Sequence, residues 1–398
     1  MEAAIANPVP FAAEAALARR LSVGGLVSAI LVGLIGALVI FVTPGFLAIV
    51  AQQTGFDNDQ LGYLAAWDIN AMGVTIGLST FLLGRVRWRL AVGLGLGLVI
   101  AGNLLTAASV SFPAMAAARV VAGTGEGIAI GFAFAALGRA ANPDRAFAIY
   151  LVIGALFSSA LLYALPAIQA AAAPQTLFVC NALLVVPVIL SLRWFPAGGA
   201  EEMGLFAGAG RLDLRLAGGA LLGVFLFFFA IGAVWSYSER IGLASGLAPG
   251  VIAGSLSLGT MAGVAGAALA GMLPRSWGRI APLLVSGGLG VTSFLLFGGR
   301  VTPTGFMAAS VLLLFSWNFA QPLLSGICAE ACHRGRVVCA MGSIQTFGTG
   351  LGPAAAAAML GTGSFAPMIY ANAAVLTASI AAVVLTILGE RRRATTAV

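Results

Sequence analysis

Two ionisable side chains, Arg119 and Glu126, lie seven residues apart in the apolar, glycine-rich stretch AARVVAGTGEGIAIGFAFAALGRA, residues 117–140. At about 100° per residue, a helix places them on one face, with about 10 Å between them along its axis. A third ionisable group, Asp68, lies in the apolar stretch LAAWDINAMG. Side chains of these types can pair, bind a charged solute or exchange a proton, and the surrounding medium decides which.

The composition indicates that this medium is a lipid bilayer. Of the 398 residues, 60% are hydrophobic and only 8% are charged, whereas soluble domains contain about 25% charged residues. An ionised side chain at the centre of a bilayer costs roughly 2.5–3.5 kcal/mol, so such residues persist where they have a partner or a function. We therefore predict a polytopic membrane protein whose buried charges face other helices or water and not lipid.

Twelve apolar runs are each long enough to cross a bilayer, since a span needs roughly 20 residues. They cover approximately residues 21–50, 60–83, 90–110, 114–138, 147–172, 176–195, 215–238, 247–272, 280–299, 303–327, 337–361 and 364–389. The polar, glycine-rich segment 196–214 separates the first six from the last six. The sequence predicts an all-α membrane protein with two six-helix bundles, 21–195 and 215–390, joined by this linker and flanked by terminal segments 1–20 and 391–398.

The placement of arginine predicts the orientation. Seventeen of the 20 basic residues, all of them arginine, fall on the side of the membrane that carries both termini, and only Arg119, Arg240 and Arg300 do not. Because positively charged loops stay in the cytoplasm, we expect cytoplasmic termini. The bias towards arginine, alanine and glycine is typical of a bacterial genome and predicts the inner membrane. The arginines are dispersed and not gathered on one face, so we expect no nucleic-acid partner.

Three local motifs recur in one family of membrane proteins. They are the loop LLGRVRWRL after the second span, its copy GMLPRSWGRI after the eighth, and R-x-x-x-G-x-G, formed by Arg119, Gly123 and Gly125. With twelve spans in two sets of six, the chain resembles the major facilitator superfamily of secondary transporters. The resemblance implies alternating access and a small-molecule substrate. The loop arginines that it places at a gate are Arg85, Arg275 and Arg279. We predict no enzymatic activity, because the chain has one histidine and no paired carboxylates at catalytic spacing.

The charged residues inside the membrane suggest how transport is driven. We predict that Arg119 pairs with Asp68, which lies at a similar depth. Glu126 has no obvious cation at its depth, so it is the leading proton-coupling residue, with Asp68 second. The structural alternative is an Arg119–Asp68 clamp beside a Glu126 that stays protonated and bonded to a backbone carbonyl. Small residues let a neighbouring backbone approach this face; they are Gly123, Gly127 and Gly131.

A second polar group lies in the tenth span, in FSWNFAQPLLSG. Asn318 and Gln321 share a face, Trp317 is one turn from Gln321, and Pro322 frees a backbone carbonyl one turn earlier. A broken polar helix is typical of solute sites in transporters, although the same residues also serve helix–helix hydrogen bonding. Further predicted substrate contacts are Arg119, Trp67, Asn70, Tyr163, Trp235 and Gln345, which would suit an anionic or aromatic solute.

The seventh span ends in AVWSYSERIG. The aromatic belt of a membrane interface explains Trp235 and Tyr237 without a ligand, and we favour that interpretation over substrate contact. Glu239 and Arg240 are adjacent, so they point about 100° apart and are not expected to share a partner. We predict that one of them contributes to an outer gate.

The energy source follows from what the sequence lacks. A P-loop needs lysine and the chain has none, so we expect the proton gradient and no cofactor. The segment CAEACHRGRVVC, with Cys328, Cys332 and His333, has no standard zinc spacing, and we predict no metal site. Residues 149–166 lack the G-x-x-x-G-P pattern of drug antiporters, which favours import by symport. We expect proton and not sodium coupling, because the carboxyls inside the membrane are few and isolated, and we expect a monomer. The alternatives are proton-coupled export of a drug or metabolite, a non-transporting sensor and a membrane enzyme.

Overall fold

The computed structural model describes residues 21–140, 143–198, 213–273, 277–331, 336–360 and 364–396. Within these ranges the regular structure is helical and no strand is present. The helices are α1 Val23–Thr54, α2 Asn58–Leu82, α3 Trp88–Ala108, α4 Phe112–Leu137, α5 Pro143–Ala171, α6 Pro174–Ser191, α7 Leu214–Ala244, α8 Pro249–Met272, α9 Ile280–Gly298, α10 Pro303–Ala331, α11 Arg336–Ala357 and α12 Ala366–Thr396.

Twelve helices occupy the positions of the twelve predicted spans, in the predicted order, over the described residues. The largest differences are at carboxyl ends, where α7 continues six residues and α12 seven residues beyond the predicted limits. The terminal segment 1–20 and most of the linker 196–214 lie outside the described residues. The proposed domain limits therefore stay predictions.

Helix ends follow from local chemistry. Gly55 ends α1 in the left-handed conformation, with φ of 71°, which glycine adopts without steric cost. The Asp57 side chain then accepts from the backbone N–H of Gln60 while the Gln60 side chain accepts from that of Asp57, a capping box that starts α2. The resulting tight connection, residues 55–57, defines what we call the loop-1 side; the opposite side, where α1 begins and α12 ends, is the terminal side.

Two helices are less apolar than the rest. By length and composition, ten helices in the described ranges can cross a membrane, and α2 and α11 are not among them. These two helices pack against each other. Their polar side chains are therefore directed to other helices, which explains why they need less apolar surface than helices that face lipid.

The helices pair in the same way in both halves of the chain. In the first half α4 packs against α1, α2 and α3, and α3 contacts α6; in the second half α10 packs against α7, α8 and α9, and α9 contacts α12. The two sets of six meet through α1 with α7, α2 with α11, and α5 with α8. This arrangement confirms the predicted all-α fold of two six-helix bundles.

Glycines let α4 contact three neighbours closely. A methyl group at Gly123 would overlap the backbone carbonyl of Asp68 on α2, and one at Gly127 would overlap the carbonyl of Met72. On α3, a Cβ atom at Gly102 would lie 2.5 Å from the backbone nitrogen of Ala122. The predicted glycine ridge is thus confirmed as a backbone-to-backbone packing surface, and it faces α2.

We expect Gly127→Ala to lower the free energy of unfolding by about 1–3 kcal/mol, because the added methyl group overpacks the α2–α4 contact. The matched control is Gly97→Ala on α3, where an added Cβ meets nothing within 4 Å and helix propensity alone favours alanine. Thermal unfolding of the purified proteins would measure both changes. Equal melting temperatures for the two variants would contradict close packing of α2 on α4.

Candidate functional site

The three predicted membrane charges form one cluster. Arg119 donates from Nε and Nη2 to Oδ2 of Asp68, at 3.0 and 2.7 Å, and from Nη2 to Oε1 of Glu126, at 3.1 Å. All three side chains are buried, with at most 1% exposed. The predicted Arg119–Asp68 pair is confirmed. The expectation that Glu126 lacks a cation is wrong, because the long guanidinium side chain covers the axial gap along its own helix.

Two further groups complete the surroundings of the guanidinium. Nη1 of Arg119 donates to Oδ1 of Asn103 on α3, at 3.4 Å, and the same oxygen accepts from Nδ2 of Asn181 on α6, at 3.2 Å. The ring of Phe46 on α1 lies 4.8 Å from the guanidinium carbon, in cation–π geometry. Sequence reasoning missed Asn103, Asn181 and Phe46. Each amide stands alone in an apolar run, which is the signal that was available.

Apolar layers close the cluster on both sides. Towards the loop-1 side it is covered by the buried group that includes Phe46, Leu47, Leu64, Met115 and Phe178. Towards the terminal side it is covered by the group that includes Ile76, Leu96, Ile130, Phe132 and Val185. In this conformation the cluster faces neighbouring helices and not an open aqueous path.

The cluster has no net charge when it holds one proton. With both carboxyls ionised, two negative charges face one positive charge, and a net charge in a low-dielectric interior is costly. Among the described residues, Oδ1 of Asp68 and Oε2 of Glu126 have no hydrogen-bond partner. One proton on either carboxyl neutralises the cluster. Arg119 makes two contacts to Asp68 and one to Glu126, so Glu126 is the carboxyl that it holds less closely.

The structure does not bring the predicted aromatic substrate contacts together around Arg119. Trp67 is 55% exposed and Tyr163 is 69% exposed. Trp235 and Tyr237 are instead buried between the two halves, so the membrane-interface interpretation is wrong for both. Trp235 donates from Nε1 to the carbonyl of Ile40 at 3.1 Å. Tyr237 donates from its hydroxyl to the carbonyl of Asn58 at 2.8 Å.

The polar residues of α10 and α11 mostly serve their own helices. Asn318 donates to the carbonyl of Leu314, at 2.9 Å. Trp317 packs edge-on against Phe228 of α7, with 6.0 Å between ring centroids. Gln321 is half-buried. These contacts match the helix-packing alternative for the tenth span.

Two amides keep unused acceptors near the α2–α11 interface. Asn70 donates to the carbonyl of Ala66 at 2.8 Å, and a Cβ atom at Gly350 of α11 would lie 2.8 Å from its amide nitrogen. Oδ1 of Asn70 and Oε1 of Gln345 are buried and have no partner in the described part of the chain. Both oxygens are available to a donor group.

The predicted gate residues are dispersed. Oε2 of Glu239 lies 3.5 Å from Nε of Arg240, because two long side chains on adjacent positions can bend towards each other. The hypothesis that one of them contributes to an outer gate stays a prediction. Arg279 pairs with Glu330 at 2.5 Å, and Arg85 is exposed. Arg275 lies outside the described residues.

The cysteine-rich segment is only partly described. Cys328 is buried, and Cys332 and His333 lie outside the described residues. The structure therefore does not test the prediction that this segment binds no metal.

Comparison with known proteins identifies the architecture. Residues 29–356 match the sequence model of a family described as Major Facilitator Superfamily. No curated protein matches the chain by sequence. A D-xylose–proton symporter superimposes with a TM-score of 0.72 at 13% identity, over 92% of this chain and 96% of that one.

Two other solved structures share the fold. The nucleoside transporter NupG, in a mutant form, gives a TM-score of 0.67 at 13% identity, over 91% of this chain and 99% of that one. The human organic anion transporter TETRAN gives 0.65 at 15% identity, over 90% and 99%. At these identities the likeness establishes the fold.

We expect Arg119→Leu to lower stability by about 3–5 kcal/mol, because it leaves two carboxyls buried without their cation. Adding Asp68→Asn and Glu126→Gln removes both acids and should restore most of the folded yield. Arg279→Leu is the control, since its partly exposed pair is worth at most about 1 kcal/mol. Size-exclusion profiles and melting temperatures would report all three proteins. A triple variant no better than Arg119→Leu would contradict charge imbalance as the cause.

Proposed function

Because the chain belongs to the major facilitator superfamily, a family of multi-pass membrane transporters, we propose that it imports a small organic solute by proton-coupled symport. The observation that carries this proposal is the buried cluster of Asp68, Arg119 and Glu126, which is neutral only when it holds one proton. The proton gradient then supplies the energy, and no cofactor is required.

Helix α2 connects the cluster to the interface between the halves. Asp68 lies on this helix, and two residues later Asn70 packs at the contact with Gly350 of α11. The hydroxyl of Ser343 on α11 donates to the carbonyl of Gly73 on α2, at 2.7 Å. A proton that changes the Asp68–Arg119 contact therefore acts on the helix that the second half packs against. Such a differential contact is what a ligand needs to shift a conformational equilibrium.

A few hydrogen bonds join the halves. Pro44 has no N–H, so the carbonyl of Ile40 loses its helical donor. This carbonyl accepts instead from the hydroxyl of Thr43, at 3.2 Å, and from Trp235 of α7 in the opposite half. Ser159 of α5 and Ser257 of α8 lie with their hydroxyl oxygens 2.7 Å apart. Alternating access requires rocking of the halves, and these contacts must break when the loop-1 side opens.

We propose that the loop-1 side faces outwards and that both termini are cytoplasmic in a bacterial inner membrane, with a monomer as the transporting unit. Arginine placement supports this orientation. The positive charge of Arg119 is already matched by Asp68 and Glu126, so the cluster itself does not favour an anionic solute. An aromatic solute remains compatible with Trp317 and with the free amide oxygens of Asn70 and Gln345.

Proton-coupled export of a drug or metabolite is the second candidate. It is supported by the same cluster, because one exchangeable proton serves an antiporter as well as a symporter. The two mechanisms differ in the sign of the proton movement that accompanies a solute.

Proteoliposomes loaded with a pH-sensitive dye would test the coupling, with D-xylose, uridine and benzoate as probe solutes. For a symporter, adding a transported probe outside acidifies the interior, because protons enter with the solute. An antiporter makes the interior more alkaline instead. We expect Glu126→Gln to abolish the pH change but to retain exchange of labelled probe, because glutamine mimics the neutral form.

The control for this variant is Glu330→Gln, which removes a carboxyl that is 57% exposed and should leave the pH change intact. A normal solute-driven pH change in Glu126→Gln would exclude this residue from coupling. If the folded, unmodified protein exchanged none of the three probes, this result would count against transport of these solute classes.

We expect Trp235→Phe to favour opening of the loop-1 side by about 1 kcal/mol, or about fivefold in population, because Ile40 loses its donor from the second half. Spin labels at the exposed positions Val110 and Ser245 would report the distance between the halves. Pro44→Ala supplies an N–H to the Ile40 carbonyl, so Trp235→Phe should have little further effect in that background. Trp317→Phe is the control within the second half, and an equal shift in it would contradict this account.

A further inference from the structure

An apolar cavity of about 130 Å³ lies between α1, α5 and α6 in the first half. Aliphatic and phenylalanine side chains form its walls, and Cys180 and Asn181 of α6 are the polar-capable residues that line it. Two lining residues, Phe157 and Leu184, are 42% and 46% exposed. Because exposed apolar side chains on a spanning helix face acyl chains, the cavity opens towards the bilayer.

The bend in α1 and the size of the cavity define what fits. Val42 has non-helical dihedral angles, φ −121° and ψ 21°, next to Pro44, and both Val42 and Gly45 line the space. Apolar cavities of roughly 150 Å³ stay dry and bind benzene. The cavity therefore accommodates one six-membered ring, while any larger part of a molecule would extend into the bilayer.

One polar atom of a residue that lines the cavity lacks a partner. Asn181 donates from Nδ2 to Asn103, but its carbonyl oxygen Oδ1 is buried and accepts no hydrogen bond in the described part of the chain. An unsatisfied buried acceptor is costly. A hydroxyl or amino group on a ring in the cavity would satisfy it, whereas an acyl chain would not.

The cavity also borders the charge cluster. Phe46 lines the cavity and its ring contacts the guanidinium of Arg119. Asn181 reaches the same guanidinium through the shared acceptor of Asn103. An occupant would thus lie one side chain away from Arg119 by the route through Phe46, and two side chains away by the route through Asn181 and Asn103.

We propose that this cavity is a binding site, entered from the bilayer, for a small amphipathic molecule with a single apolar ring and one hydrogen-bond donor, the donor bonding to Asn181. The site lies on helices of the first half, although its lining residues Leu38, Val42 and Leu162 also pack in the hydrophobic cluster that includes second-half residues. The experiment below measures binding alone, so its outcome does not depend on the transport proposal.

A diazirine-bearing phenol, photoactivated with the full-length protein in lipid nanodiscs, would locate the site by mass spectrometry of the labelled peptides. We expect labels on α1, α5 and α6 at cavity-lining residues. Unlabelled 4-ethylphenol should compete about tenfold better than ethylbenzene, at equal concentrations in the lipid, because the two differ by the donor alone. Asn181→Ala should remove this tenfold difference.

Matched controls separate binding from general disturbance. Asn372 of α12 is a buried amide that donates to the carbonyl of Met368 in its own helix and, like Asn181, leaves Oδ1 without a partner in the described residues. Asn372→Ala should keep the tenfold difference. Leu184→Trp at the cavity mouth should block labelling, whereas Leu183→Trp, 62% exposed and not among the lining residues, should not.

Three results would overturn the proposal. Labels that fall outside α1, α5 and α6 would place the site elsewhere. Equal competition by 4-ethylphenol and ethylbenzene would reduce the cavity to a space for an acyl chain. An unchanged tenfold difference in a folded Asn181→Ala protein would remove Asn181 as the acceptor.

Discussion

The guanidinium of Arg119, held between two carboxyls inside the bilayer, is the interaction that organises the first half of the protein. Hydrocarbon offers neither water nor counterions, so every charge must be balanced by protein groups. Asp68 and Glu126 supply the negative charge, and Asn103 and Phe46 cover the remaining faces of the guanidinium. Meeting this requirement brings side chains from α1, α2, α3 and α4 to one point. The packing of these four helices is therefore a consequence of the charge as much as of shape.

Glycine makes this convergence possible. The axis of α4 can approach α2 closely only because Gly123 and Gly127 leave room for the backbone of Asp68 and Met72. On another side of α4, the carbonyl of Glu126 would lie 2.7 Å from a Cβ atom at Gly36 of α1. Without a hydrophobic effect to drive helices together in lipid, short interaxial distances and buried polar contacts provide the association energy. The glycines thus allow the close helix contacts that bring the buried charges within reach of their partners.

The sequence predicted the features that depend on residues close together in the chain. Span positions follow from apolar runs, and the shared face of Arg119 and Glu126 follows from helical period. The pairing of Arg119 with Asp68 could be predicted because few charged residues lie at that depth. The contacts of long side chains could not be predicted from helical projection. Arg119 also contacts Glu126, and Glu239 contacts Arg240, because long side chains bend away from the direction in which their Cα–Cβ bonds point. Burial of Trp235 and Tyr237 depended on how the two halves pack, which no local pattern encodes.

The two halves share one helix-pairing scheme but differ in chemistry. In the first half, α2 contacts α4 through Asp68, next to Gly123; in the second, α8 contacts α10 through Gly259, next to the backbone of Ser310. Where the first half has charges, the second has hydroxyl contacts such as Ser286 with Ser316. Among the described residues, the buried ion cluster thus belongs to the first half alone. Two helices link this cluster to the second half: α2, which bears Asp68 on one side and packs against α11 on another, and α1, which contacts Arg119 through Phe46 and packs against α7.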